Sequence, residues 1–188
     1  LVQIQTFISD KVGRNLNKKA FGQMGKLAGE AMMRKRDEDG LTAMDGSTQM
    51  GASGTPVQTG DVAAARYRIT SNATEPGPMP IAGVFHGFCI KDFYDELVSG
   101  IGTYAIPDGA TATVFQSGFT LPIANVSIHE DGNIAISGND AKNFVFSKSA
   151  WILVNGMTLR TETRREPHIG GGGDSVFLTD EYAYGERS

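Results

Sequence analysis

The chain has 188 residues, 40% of them hydrophobic and 20% charged, which is enough apolar matter for one large domain or two small ones and excludes global disorder. Its formal net charge of −4 argues against a dedicated nucleic-acid binder, whose footprint is basic. A single cysteine, Cys89, excludes an intrachain disulfide, so the sequence reads most simply as a fold made in a reducing compartment. No apolar run has the length of a membrane span and no secretory leader is legible.

The sequence opens on Leu1, not Met, as expected of a chain that starts after a cleavage or downstream of a further segment. Residues 1–8 partly alternate apolar and polar and predict the end of a strand, punctuated by Ser9 and Asp10. From Gly13 to Asp45 the pattern turns helical. Leu16, Ala20, Met24, Leu27 and Ala31 fall three or four apart and predict one buried stripe, closed by Leu41 and Met44. Gly22, Gly25 and Gly29 sit on a neighbouring face, each costing about 1 kcal/mol relative to Ala. A closely packed backbone would offset that cost, and Gly40 or Gly46 is placed to end or interrupt the helix.

Residues 46–60 are Gly, Ser and Thr-rich and form the best boundary between two lobes. A short helix follows from Asp61 to Ile69, with Thr59 or Asp61 placed to cap it. After a Pro/Gly turn cluster come an apolar strand at 81–86 and a helix at 90–98. Beyond Gly100 the pattern is strand-like: a strand at 110–115, a hairpin at 125–136 turning on Asp131-Gly132, and a buried strand at 150–154. Two long strands, Met157 to Glu166 and Ser175 to Tyr184, are joined through Gly170 to Gly173.

The chemistry-bearing patterns are sparse. Gly170 to Gly173 lacks the following helix and the Lys-Ser/Thr pair of a phosphate loop, and Asp174 would repel phosphate. His86 and Cys89 have the spacing of half a zinc site, but only His129 and His168 remain as further His/Cys ligands. With Phe85, Phe88 and Ile90 around it, Cys89 reads as a small buried hydrophobe. The run Arg34-Lys35-Arg36 is cancelled by Asp37-Glu38-Asp39 within a Debye length of about 8–10 Å, which predicts a mixed-charge helix face or intersubunit ion pairs.

The strand from Leu159 to Arg164 alternates strictly. Arg160, Glu162 and Arg164 point one way, while Leu159, Thr161 and Thr163 point the other. Threonines suit a greasy core poorly, so a thin sheet is expected. An ordinary solvent-facing hairpin and a charged edge that sets register between copies are both compatible with this strand.

In order and spacing, three stretches together resemble the major capsid proteins of tailed bacteriophages with the Hong Kong 97-type fold. They are LAGEAMMRKRDEDGLTAMDG, GPMPIAGVFHGFCIKDFYDELVSG and AWILVNGMTLRTETRREPHIGGGGDSVFLTDEYAYGERS. The first is similar to the end of the family's spine helix. The second is similar to its apolar strand and following helix, with His86-Gly87 where many members have His-Pro. The third is similar to its closing strands, with Arg160, Glu162 and Arg165 in the Arg-x-Glu stretch and Tyr184-Gly185 at the end.

The resemblance implies an α+β fold in which residues 1–8 end an extended loop, 9–45 and 155–188 form a peripheral domain around the spine helix, and 46–154 form an axial domain. The N-terminal arm and most of the extended loop are then missing upstream. It implies a non-enzymatic shell protein without cofactor or metal, whose partners are other copies of itself in pentamers and hexamers. Scaffold, portal and decoration proteins are further partners. Double-stranded DNA is enclosed without sequence-specific binding, no membrane is involved, and the particle assembles in the host cytoplasm. Arg34, Arg36, Arg160, Glu162, Arg164, Arg165, Glu166, Asp180 and Glu181 are the candidate intersubunit contacts, with Gly171 and Gly172 placed where capsomers meet. An encapsulin-type compartment shares the fold and is the alternative; a Cys/His enzyme or a glycine-loop nucleotide binder is the alternative of another class.

Overall fold

The computed structural model describes residues 1–15, 18–98 and 122–187. The expected strand at 110–115 lies outside the described residues, as do Leu16 and the side chains of Ala20 and Leu97. In chain order the elements are β1 (Val2–Ser9), α1 (Asp10–Asn15), α2 (Lys18–Met44), α3 (Thr59–Thr70), β2 (Ile81–Phe85), α4 (Gly87–Val98), β3 (Val126–Glu130), β4 (Ile136–Ser137), β5 (Asp140–Ala141), β6 (Phe144–Ser147), β7 (Trp151–Glu166) and β8 (Gly173–Glu186). They divide into two compact units, one of Leu1–Ala43 and Leu153–Gly185, the other of Met44–Ile152 and Glu186–Ser188.

The first unit is a three-stranded sheet in the order β1-β8-β7, lined by α2. β1 runs antiparallel to β8, from Val2 opposite Asp180 to Ser9 opposite Gly173. At 27 residues α2 is about 40 Å long, enough to follow β8 for most of its length. Its sheet-facing residues are Met24, Ala28, Met32, Arg36 and Gly40. That corrects the expected stripe by one position: Leu27 is 64% exposed and Ala31 is exposed too.

Apolarity alone misplaces the face because two of its members are not apolar side chains. A Cβ on Gly40 would stand 3.1 Å from the Tyr184 ring, so the ring, held by its hydroxyl on the Arg36 carbonyl, would have to give by a few tenths of an ångström. Arg36 faces inward because Asp180, Asn155 and the Tyr182 ring receive it. The expectation that Gly22, Gly25 and Gly29 admit a close backbone is not met within the chain: a Cβ on any of them would meet no atom within 4 Å. The helix passes through Gly40 and ends at Met44, whose carbonyl accepts a 2.9 Å hydrogen bond from the Ser47 N–H.

β7 is one strand of 16 residues, not a buried strand followed by a second one. Ile152, Leu153 and Val154 are exposed, Val154 by 57%. A β-branched or leucine run implies burial only where layers cover both faces, and among the described residues neither face of 152–154 has that cover.

The second unit is built on a sheet of order β3-β2-β6. Central β2 is parallel to β3 and antiparallel to β6. Its core joins Val62 of α3, Cys89, Ile90 and Phe93 of α4, Ile81 and Phe85 of β2, and Val126 and Ile128 of β3. Phe85 and Phe93 meet edge to face with centroids 5.4 Å apart, a geometry aromatic rings favour.

Two local expectations are corrected here. Asp61 is the third residue of α3, not its N-cap; its carboxylate accepts the Gln58 N–H at 3.0 Å, and the Thr59 N–H goes to Glu96 at 2.7 Å. Asp131-Gly132 does not turn a hairpin. Asp131 donates its N–H to Phe85 O at 3.0 Å and accepts the Asn133 N–H on Oδ1 at 2.8 Å, an Asx turn at the end of β3. The tight hairpin instead joins β4 to β5 through Gly138 and Asn139, with Gly138 at φ 67°.

Candidate functional site

The candidate contact residues all fall in the first unit, and most lie on β7 or where it turns into β8. Alternation along β7 sorts them. Asn155, Met157, Thr158 and Leu159 line a groove of about 470 Å³ with Met32, Met33 and Arg36 of α2; Asn155 receives the Arg36 guanidinium while a Cβ on Gly156 would meet Glu181, so odd-numbered positions look toward the helix and even-numbered ones away. Arg160, Glu162, Arg164 and Glu166 therefore share the opposite face. In the isolated chain they pair along the strand, Arg160 to Glu162 at 2.7 Å and Arg164 to Glu166 at 3.3 Å. Glu181 lies on the neighbouring strand beside Gly156, where an added Cβ would stand 3.1 Å from its carboxyl carbon.

Arg165 is odd-numbered and turns to the helix side. Its guanidinium grips the Asp10 carboxylate with both terminal nitrogens, at 2.7 and 2.5 Å, and reaches Asp174 at 3.4 Å. The fork matches the two carboxylate oxygens, which makes this the best-formed ion pair on the unit. It holds the Asp10 carboxyl below its ordinary pKa and raises that of the guanidinium. The Asp10 N–H also donates to Gly172 O at 2.9 Å, so one residue ties the end of β1 to the glycine turn. Gly170, Gly171 and Gly172 have φ of 59°, 82° and 99°, a left-handed run that residues with a Cβ resist. Gly171 has open space around it, whereas a Cβ on Gly172 would meet Asp10 Oδ2 at 3.0 Å.

Arg36 and Asp180 are engaged inside the chain. Asp180 is 4% exposed, with its carboxylate 3.9 Å from Arg36. Around them Tyr182 donates its hydroxyl to Asp39 at 2.8 Å, and Tyr184 donates to the Arg36 carbonyl at 2.7 Å. Burial pushes both tyrosine hydroxyls up, and Asp39 raises Tyr182 further. Asp39 itself is lowered, first by its hydrogen bond from Lys35. Arg34 stays on the exposed side of α2, paired with Glu38 at 2.9 Å.

Reading the sequence missed Asp10, Asp39, Asn155 and Tyr182. Asp10 meets Arg165 across 155 residues, and no local pattern signals a pairing of that separation. Tyr182 and Tyr184 did carry a signal: period-two spacing on β8 places both hydroxyls on the face toward α2.

The chemistry-bearing alternatives meet a packed core and a plain turn. Cys89 is 8% exposed within the hydrophobic cluster, and Asn143 Nδ2 lies 3.1 Å from its sulfur. His86 caps α4, its Nδ1 accepting the Phe88 N–H at 3.2 Å. The glycine run joins two strands and leads into no helix.

No protein-family model matches the sequence, and no curated protein does. Solved structures do match, over nearly the whole chain. A chain of Mycobacterium phage Che8 is 17% identical with a TM-score of 0.68, covering 97% of this chain and 65% of its own. The SrpI encapsulin of Synechococcus elongatus PCC 7942 is 8% identical with a TM-score of 0.69, covering 100% and 69%. The capsid of Ralstonia phage GP4 is 11% identical with a TM-score of 0.65, covering 99% and 68%. The present chain thus spans about two thirds of the length of each. With the long helix on the β1-β8-β7 sheet and the β3-β2-β6 unit inserted in the sequence between that helix and the last strands, the chain has the α+β, Hong Kong 97-type fold.

Proposed function

We propose that this chain is a coat-protein subunit that assembles with copies of itself, as pentamers and hexamers, into an icosahedral phage head around double-stranded DNA. The observation that carries the reading is a fold shared, over nearly the whole of this chain and about two thirds of theirs, with chains from solved phage capsids. In this reading the first unit is the peripheral domain and the second the axial domain. The open margin of β7, charged on one face and apolar beyond it, supports association over catalysis. The work of such a subunit is multivalent contact: many modest interfaces sum to a stable shell, and closed symmetry leaves no edge bare. Scaffold, portal and decoration proteins are the partners expected beside it, and the host cytoplasm is the place of assembly.

Full-length protein, purified and concentrated, should yield closed shells or capsomers in negative-stain electron microscopy. A species that stays monomeric under every assembly condition overturns the reading. The likeness to an encapsulin supports a second reading, a protein-filled compartment. The two part on cargo: shells from the native source should carry double-stranded DNA in the first case and protein in the second.

A further inference from the structure

Among the described residues β7 ends the order β1-β8-β7, with one backbone edge of its long ladder facing away from the sheet. Such an edge invites another strand, and charge decides which strands fit. We propose that β7 pairs antiparallel with β7 of a second copy about a two-fold axis at Thr163, setting Arg160 against Glu166 and Glu162 against Arg164 of that copy. The inference rests on the shell reading and adds a surface, a partner and a register to it.

The register follows from two constraints. Directly opposed residues in a ladder share a face, and a two-fold axis normal to the sheet keeps the α2 side of both copies together. The numbers of opposed residues must then sum to an even value. Among those registers charge discriminates. An axis at Glu162 sets Glu162 against itself and Arg160 against Arg164. An axis at Arg164 sets Arg164 against itself and Glu162 against Glu166. An axis at Thr161 or Arg165 makes opposite pairs only from Arg160 with Glu162, or from Arg164 with Glu166. Only the axis at Thr163 engages all four charged residues of each copy with opposite partners.

Like charges directly opposed destabilise a ladder and opposite ones stabilise it. Pro167 follows the last paired residue, and its missing N–H ends the ladder there. The bonds Arg160–Glu162 and Arg164–Glu166 in the single chain neutralise the same groups before pairing. They exchange for cross-strand bonds when two edges meet, which keeps a lone subunit soluble.

Charge reversal tests the register. Glu162→Arg opposes two arginine pairs and should raise the concentration needed for assembly about tenfold, with folding unchanged by circular dichroism. Arg164→Glu should do the same. The double variant Glu162→Arg, Arg164→Glu should restore assembly, although it leaves like charges adjacent along each strand. A role confined to one chain would make that double variant the worst of the three.

A cysteine at the axis tests the geometry independently. Opposed Cα atoms in an antiparallel pair lie about 4.5–5.5 Å apart, within disulfide reach. Assembled Thr163→Cys protein should therefore oxidise to a dimer on a non-reducing gel, and Thr161→Cys protein should not. Shells of the Thr163→Cys variant that form no cross-link at the axis, together with no rescue by the double variant, overturn this pairing and leave the shell reading standing. Wild-type protein that never forms shells overturns both.

Discussion

The two units of this chain are stabilised in different ways. In the second, buried apolar side chains from two helices and two strands close around Phe93, which is fully buried. In the first, the only buried large hydrophobics among the described residues are Met32 and Leu178; beside them Ser175 and Asp180 are buried, and Arg36, Tyr182 and Tyr184 are hydrogen-bonded between helix and sheet. Leu27, Met33, Val154 and Leu159 stay in solvent. One unit is a self-sufficient core. The other is one helix on one sheet, positioned by directional polar contacts, with apolar and charged surface left over. In the proposed shell, that surplus is the surface with which a subunit would meet its neighbours.

The contrast is most exposed to refutation at the two buried centres. Phe93→Ala leaves a cavity in the closed core and should cost about 3–5 kcal/mol in urea denaturation. Met32→Ala should cost about 2–3 kcal/mol, toward the low end for such truncations because the open groove beside it lets the site relax. Leu27→Ala, five residues away on the exposed side, should change folding stability by less than about 0.5 kcal/mol. Equal losses at Met32 and Leu27 would refute the assignment of the helix face.

That assignment also marks the limit of what the sequence disclosed. The long helix, the late strands, the glycine turn and the apolar strand with its following helix were legible because periodicity and turn chemistry are local. The face of α2 was not, because Gly40 and Arg36 occupy inward positions for reasons set by Tyr184 and Asp180, far along the chain. The Asp131-Gly132 turn misled for a related reason: the Asp131 N–H is taken by the carbonyl of Phe85, a residue far back in the chain, and its carboxylate takes the Asn133 N–H, so the dipeptide closes an Asx turn and not a hairpin. On the candidate surface the alternation of Arg160, Glu162 and Arg164 was plain. What it did not disclose was which residues the chain uses itself, and Arg165, Arg36 and Asp180 proved to be held internally.

A smaller change on α2 probes the same helix from its open side. Gly25 lies mid-helix, and a Cβ there meets nothing within 4 Å. Gly25→Ala should therefore raise the stability of the isolated subunit by about 0.5–1 kcal/mol, the helix-propensity difference with no steric charge against it. A loss of stability would mean that some other segment packs on this face within the subunit.

The weakest contribution comes from the ion pair at the base of the glycine turn, which is solvent-exposed and screened. Arg165 lowers the Asp10 carboxyl below its ordinary value of 3.8, first through their hydrogen bonds and then through charge, with Arg14 adding to it. In the unfolded chain Asp10 binds its proton at that ordinary value, so between the two values the unfolded state carries more protons than the folded one. Stability from this pair is then fully present above about pH 4 and is lost as pH falls through the lower, folded value. Asp10→Asn removes the charge at every pH. The variant should unfold at lower urea than wild type near neutral pH, and the gap should close in acid, below the ordinary carboxylate value. Sodium chloride should narrow the neutral-pH gap as well, since an exposed pair is screened over about 3 Å at molar salt. A gap indifferent to both pH and salt would place the contribution of Asp10 in its N–H bond to Gly172 and not in its carboxylate.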